Sequence, residues 1–274
     1  MIPIEKVVGK AINGLSFIAP DTTGKLTLEL FCRPQKGKIF TEKEQAFLDQ
    51  AEWIDLRLEG KKIQCYKWGN GEKKVLLAHG FNSNASRWRP LANLLQKDGY
   101  QVVAFDIPAH GNSDWKRVNG LLYAQVVAQV IPYFKPDFIV GHSFAGIAFT
   151  YYFSQMEAQP VDKMVLMGVP NKLMDITQVF FQQLGLGKRV QDAYSKVFRS
   201  KFNYPIDYFT LSNFLKEIDI LGLVIHDEND EIVPYEGAIE MHEAWTNSTF
   251  FSTKKLGHSL QGSSVFKEIL RFLK

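Results

Sequence analysis

Cysteine is scarce in this chain of 274 residues: only Cys32 and Cys65 are present. Lacking C-x-x-C spacing, the pair cannot build a zinc site, and at most one disulfide is available. Two reduced, partly buried thiols are the expectation, which suits a cytoplasmic protein. Long apolar runs are also missing. No window approaches ~18 consecutive apolar residues, which excludes a transmembrane helix. The opening stretch MIPIEKVVGKAINGLSFIAP is interrupted by Glu5, Lys6 and Lys10, so it offers no uninterrupted signal-peptide core. Charge of one sign is not concentrated either. The formal net charge is +3, and the basic residues come as scattered pairs such as Lys61-Lys62, Lys73-Lys74 and Lys254-Lys255. No basic stripe with interleaved aromatics marks a nucleic-acid partner. Internal repeats and low-complexity linkers are absent.

The chain does contain ample core material, 46% hydrophobic residues against 22% charged. Its length fits one large α/β domain with an insertion. Short β-rich runs alternate with helical patterns, the signature of a mostly parallel sheet covered by helices. Strands are expected at Trp53–Leu58, Ile63–Trp68, Val75–His79, Val102–Asp106, Phe138–Gly141, Met164–Met167, Leu221–Ile225 and Phe250–Ser252. Helices are expected near Trp88–Lys97, from Phe144, and at Val265–Leu273 with Ser263 or Ser264 as N-cap. Ile4, Val7, Val8, Ile12 and Leu15 fit one helical face, so residues 1–52 read as an arm packed on the body, with membrane-surface binding as the second reading. Residues 171–216 break the alternation. Too long for a simple crossover and rich in aromatics, they read as an inserted helical cap. The core is then 53–170 and 217–274.

The sharpest motif is Gly141-His142-Ser143-Phe144-Ala145-Gly146, directly after an apolar run and before a helical one. A serine hydroxyl attacks only when exposed, aligned and relieved of its proton. A sharp strand-to-helix turn exposes it and crowds the flanking positions, which are small here, and the helix start points N–H groups at developing negative charge. A plain βα turn can share such a sequence, so the other segments matter. His79-Gly80-Phe81 ends a strand, and Gly80 allows a close backbone approach. An oxyanion needs two convergent N–H groups, and Phe81 and Phe144 are placed to give them. His79 itself reads as structural. The acidic run His226–Pro234 follows another strand; Asp227, Glu228, Asp230 and Glu231 compete to orient a histidine, and Asp230, just before Ile-Val-Pro, is preferred over loop charges. Leu256-Gly257-His258-Ser259 lies between the last strand and last helix. Histidine titrates near neutrality, which suits a proton shuttle. The chain order Ser143, Asp230, His258 is what links the three.

Together these segments resemble the α/β-hydrolase superfamily, from about Trp53 to Leu273. The resemblance implies an α/β-hydrolase fold: a mostly parallel central sheet with helices on both faces and a small helical cap. Asp106–Ser113 resembles the loop after that fold's fourth strand, where it is structural. The departures are Ala145 in place of the last elbow glycine and Asp227 where many members carry glycine; the triple-glycine oxyanion loop of some lipases is absent. The resemblance implies a serine hydrolase that cleaves a small, partly apolar ester or thioester through an acyl-enzyme. Its catalytic set would be Ser143, Asp230 and His258, with Phe81 and Phe144 N–H groups as the oxyanion hole, and no metal or cofactor. Substrate contacts are expected from His142 and from the cap residues Phe180, Phe181 and Phe198, because so short an insertion cannot bury all its aromatics itself. The same fold and triad also serve C–C hydrolases, lactonases and acyltransferases, and a non-catalytic binding homologue is the competing class. Monomer and homodimer are not distinguished.

Overall fold

Runs such as VLLA, VVAF and MVLM have no polar face, so they are stable only as strands buried on both sides. The computed structural model, which describes residues 4–38 and 40–274, shows this arrangement. The strands are β1 (Glu52–Leu58), β2 (Lys61–Trp68), β3 (Lys74–Ala78), β4 (Gln101–Phe105), β5 (Phe138–His142), β6 (Lys163–Met167), β7 (Leu221–Asp227) and β8 (Ser248–Thr253). They form one sheet in the order β1-β2-β4-β3-β5-β6-β7-β8. β1 and β2 pair antiparallel, as do β2 and β4, and all later pairings are parallel. All eight expected strands are present.

The helices are α1 (Ile4–Leu15), α2 (Pro20–Phe31), α3 (Glu42–Leu48), α4 (Arg89–Lys97), α5 (Gly120–Phe134), α6 (Phe144–Ser154), α7 (Leu173–Leu184), α8 (Lys188–Phe202), α9 (Leu211–Leu215), α10 (Tyr235–Ala244) and α11 (Ser263–Leu273). The last begins two residues earlier than expected: Gly262 is its extended N-cap and Ser263 its first helical residue. α5 and α10 were not foreseen. Alternation along each strand serves two cores. Val75 and Leu77 of β3 join a buried cluster with Trp88, Leu91, Leu95, Val265 and Ile269, while Leu76 faces the other way.

The chain divides into two units. One comprises Pro34–Asn171 with Leu211–Lys274 and holds the sheet. In it the Asn171 backbone and side-chain oxygens accept the N–H groups of Leu211 and Ser212, at 2.7 and 2.8 Å, which fixes the start of α9.

The other unit joins the residues up to Arg33 with Lys172–Thr210. Residues 4–33, expected as part of an arm on the body, thus belong with the insertion; positions 1–3 and 39 of that expectation lie outside the described residues. α1 packs on α7 and α2 along α8. The α2 contact is close at Gly24, where a Cβ would lie 2.4 Å from the Ala193 carbonyl oxygen. A bridge between Lys172 and Thr210 closes the base of the insertion. The added helices also change where its aromatics go. Phe31 of α2 meets Phe180 and Tyr194, with ring centroids 5.2 and 6.0 Å apart. Phe181 packs on Tyr194, and Phe198 on Tyr194, Phe202 and Phe209. Phe181 and Phe198 are buried in this aromatic cluster and Phe180 is half-buried. The expectation that the insertion could not bury its own aromatics omitted the two helices that 4–33 contribute.

Candidate active site

Three turns of the sheet-bearing unit converge. β5 ends at His142 and α6 starts at Phe144, leaving Ser143 alone in the turn at φ 54°, ψ −118°. That backbone is strained for a non-glycine residue, a cost of about 1–3 kcal/mol that its surroundings must offset. Its N–H donates to the Met167 carbonyl at 2.9 Å, tying the turn to β6. The crowding is real: a Cβ on Gly146 would lie 2.2 Å from the Val169 side chain. Ala145 is fully buried, so a methyl group is accommodated where the resemblance leads one to expect glycine.

The Ser143 hydroxyl lies 3.0 Å from His258 Nε2, and His258 Nδ1 lies 2.8 Å from Asp230 Oδ2. The carboxylate partner fixes the tautomer: Nδ1–H donates to Asp230, leaving Nε2 as acceptor for the serine proton. The other carboxylate oxygen of Asp230 accepts the N–H groups of Ile232 and Val233, at 2.9 and 3.0 Å. His226 Nε2 stands 3.4 Å from Oδ2. Burial works against the charge on Asp230, but hydrogen bonds from His226 and His258 and the backbone outweigh it, holding the carboxyl well below the usual range.

Asp227 does different work. Its Oδ2 accepts from the Thr253 hydroxyl and the Leu256 N–H, and its Oδ1 from Asn229 N–H. It braces the loops that present Asp230 and His258 and does not touch the histidine ring.

The turn after β3 lies against the serine. A Cβ on Gly80 would come 2.9 Å from Ser143 Cβ, so only glycine admits this approach. Phe81 follows it, its ring edge-on to that of Phe144 at 5.9 Å. Among the described residues neither the Phe81 nor the Phe144 N–H bonds to another group. The turn is held from behind. His79 Nδ1–H donates to the Gly80 carbonyl, the Tyr123 hydroxyl to the His79 carbonyl, and Asn82 N–H to His110 Nε2.

His142, expected among substrate contacts, is buried instead. Its Nε2–H donates to the His258 carbonyl at 2.8 Å, and burial keeps the ring neutral by driving its pKa far down. Arg87 Nη2 donates to the next carbonyl, Ser259, at 2.9 Å. Two side chains, one at the end of β5 and one from the segment between β3 and α4, thus grip consecutive carbonyls of the segment that carries His258. Neither this grip nor the His226 contact was foreseen. His226 stands four residues before Asp230 and could have been suspected; Arg87 carries no motif. Both cysteines are buried and neither is in a disulfide, and Cys65 lies in β2.

The family of the alpha/beta hydrolase fold matches residues 73–206. A bifunctional esterase/perhydrolase of Acinetobacter calcoaceticus is 25% identical over 270 residues, covering 79% of this chain and 97% of that protein. A non-heme haloperoxidase of Rhodococcus erythropolis is 25% identical over 231 residues, 66% of this chain and 83% of its own. Among solved structures, an esterase of Pyrococcus furiosus superposes with a TM-score of 0.67 at 20% identity, covering 88% of this chain and 95% of that one.

Proposed function

We infer that the chain is an α/β-hydrolase of the esterase kind that cleaves small, partly apolar carboxylic esters or thioesters through an acyl-enzyme on Ser143. The observation that carries this reading is the unbroken relay from Ser143 Oγ to His258 Nε2, 3.0 Å, and from His258 Nδ1 to Asp230, 2.8 Å. His258 takes the hydroxyl proton as Ser143 Oγ bonds to the acyl carbon. The carbonyl oxygen becomes an oxyanion, which the Phe81 and Phe144 N–H groups receive. Collapse of the tetrahedral species expels the alcohol or thiol, protonated by His258. Water then enters, gives a proton to His258 and attacks the acyl carbon, and a second collapse returns Ser143 with its proton. Asp230 stays a carboxylate throughout and stabilises the imidazolium formed at each attack. Two buried thiols support a reducing, cytoplasmic setting.

Release of nitrophenol from short-chain nitrophenyl esters tests the activity. Labelling by a fluorophosphonate probe tests the nucleophile, with loss of the label in Ser143→Ala as the expected result. Turnover and labelling that persist at full strength in that variant would move the chemistry elsewhere.

A further inference from the structure

α1 is amphipathic, and it is docked the wrong way round for a helix that belongs only to a protein core. A helix normally buries its apolar stripe and exposes its polar one. Here the small and polar face packs. Gly9 sits against the Leu184 carbonyl, so close that a Cβ would lie 1.7 Å from it. Lys6 Nζ donates to the Gln182 carbonyl, Asn13 Nδ2 to the Gly185 carbonyl, and Asn13 Oδ1 accepts from Gly187 N–H. Ile12 is the one branched apolar residue of α1 that is buried. At about 100° per residue, Ile4, Val7, Val8 and Ala11 fall on the opposite side. All four are exposed, Ile4 at 74% and Val7 at 53%. The turn into α2 continues the patch with Phe17 at 72% and Ile18 at 86%. Single exposed apolar side chains are ordinary, but six on one helix and its following turn make a surface that water covers at a cost.

Charge identifies what covers it. The unit made of residues 4–33 and 172–210 carries ten Lys and Arg against six Asp and Glu, a net +4 in a chain whose total is +3. Two of its cations border the patch: Lys10 is exposed on α1, and the Arg189 guanidinium stands 4.7 Å over the Phe17 ring. Apolar side chains flanked by cations match the two layers of a bilayer surface, acyl chains below anionic headgroups. We propose that this face of the unit rests on an anionic phospholipid surface, with Phe17 and Ile18 inserted at the acyl boundary and Lys10 and Arg189 at the headgroups.

The test is co-sedimentation of the full chain with large unilamellar vesicles of phosphatidylcholine, with and without phosphatidylglycerol. The protein should pellet with the anionic vesicles and be released by salt. Replacing Ile4, Val7, Phe17 and Ile18 together by serine should lower the partition coefficient at least about tenfold, since each loses apolar contact with the acyl layer. Exposed sites should shift the melting temperature by no more than about 2 °C. Phe17→Ser with Ile18→Ser alone, both in the turn, gives the same direction with no change inside the helix. Lys10→Glu with Arg189→Glu should weaken binding to the anionic vesicles specifically. The proposal is overturned if the parent stays in the supernatant with every vesicle, or if the serine variants bind as it does. It is equally overturned if sedimentation velocity shows the parent self-associating through this face, the serine variants being monomeric, because a second copy is then the occupant.

Discussion

The turn after β4 and the turn after β7 each bury an aspartate beside a histidine, yet the two pairs are built for opposite ends. Asp106 accepts the Tyr66 hydroxyl and the N–H groups of Ala85 and Asn112, at 2.7, 2.8 and 2.8 Å. Its histidine, His79, stands 3.8 Å away with both ring nitrogens committed: Nδ1–H donates to Gly80 O, and Nε2 accepts the Ile107 N–H. No proton can be gained or lost there without breaking a bond of the fold. Asp230 also holds backbone N–H groups, but its histidine keeps Nε2 turned to a serine. The difference lies in the far nitrogen of the ring and not in the pairing itself. Electrostatics follow suit. Burial pushes the Asp106 carboxyl up despite its hydrogen bonds, while Asp230, with two histidine N–H donors, is held down.

The largest effect should separate the pairs by rate. Ser143→Ala is expected to lower kcat/KM for a nitrophenyl ester by about four to six orders of magnitude, and Asp230→Asn by about four, because the amide favours the wrong imidazole tautomer. Both should remain folded at the assay temperature. A folded Asp230→Asn protein with near-parent turnover would erase the distinction. Asp106→Ala is the reverse case. It orphans three buried donors and should cost about 3 kcal/mol or more in urea denaturation, while turnover per folded molecule stays near that of the parent.

Acid titration sharpens the contrast. The depressed carboxyl of Asp230 contributes stability that is complete above its unfolded value near 4 and is lost as pH falls through its folded value. The stability gap between parent and Asp230→Asn should therefore narrow on acidification below about pH 4. The raised carboxyl of Asp106 acts oppositely: the folded state takes up its proton first, so the parent should gain relative to Asp106→Asn as pH falls through that folded value toward 4. Denaturation midpoints measured across this range, with the same sign for both variants, would contradict the two environments. The smallest effect belongs to Asp227→Asn. Loosening its brace should cost about 1–2 kcal/mol and lower the rate only several-fold, read by the same assay and melt.

What the sequence disclosed follows from these physical distinctions. Parallel strands buried on both faces write themselves as apolar runs, so β3 to β7 were legible. The serine turn, with its small neighbours, and the histidine after β8 were legible because their chemistry constrains residue type. α5 was not: GLLYAQVVAQVIPYF is apolar all round, contains Pro132, and shows no stripe to read. α10 was missed for the opposite reason, a short and mostly polar helix. The grip of Arg87 and His142 ends on carbonyl oxygens, which every residue possesses, so no sequence signal marks it. The pairing of residues 4–33 with 172–210 was equally hidden. Contacts between segments so far apart leave no periodicity in either, and the exposed side of α1 looks like a core-facing stripe until its partner is known.

That pairing also sets a timetable. α1 and α2 leave the ribosome before any residue of α7 or α8 exists, and 138 positions separate Arg33 from Lys172. At about 5–20 residues per second, the first two helices wait roughly 7–30 s for the segments they pack on. Throughout that interval the surface formed by Gly9, Ile12 and Leu28, which α7 and α8 will later cover, is open to any other binder in the cell. Slowing translation between these segments should raise the yield lost to chaperones and proteases, whereas a permuted gene that places 4–33 next to 172–210 in order of synthesis should recover it.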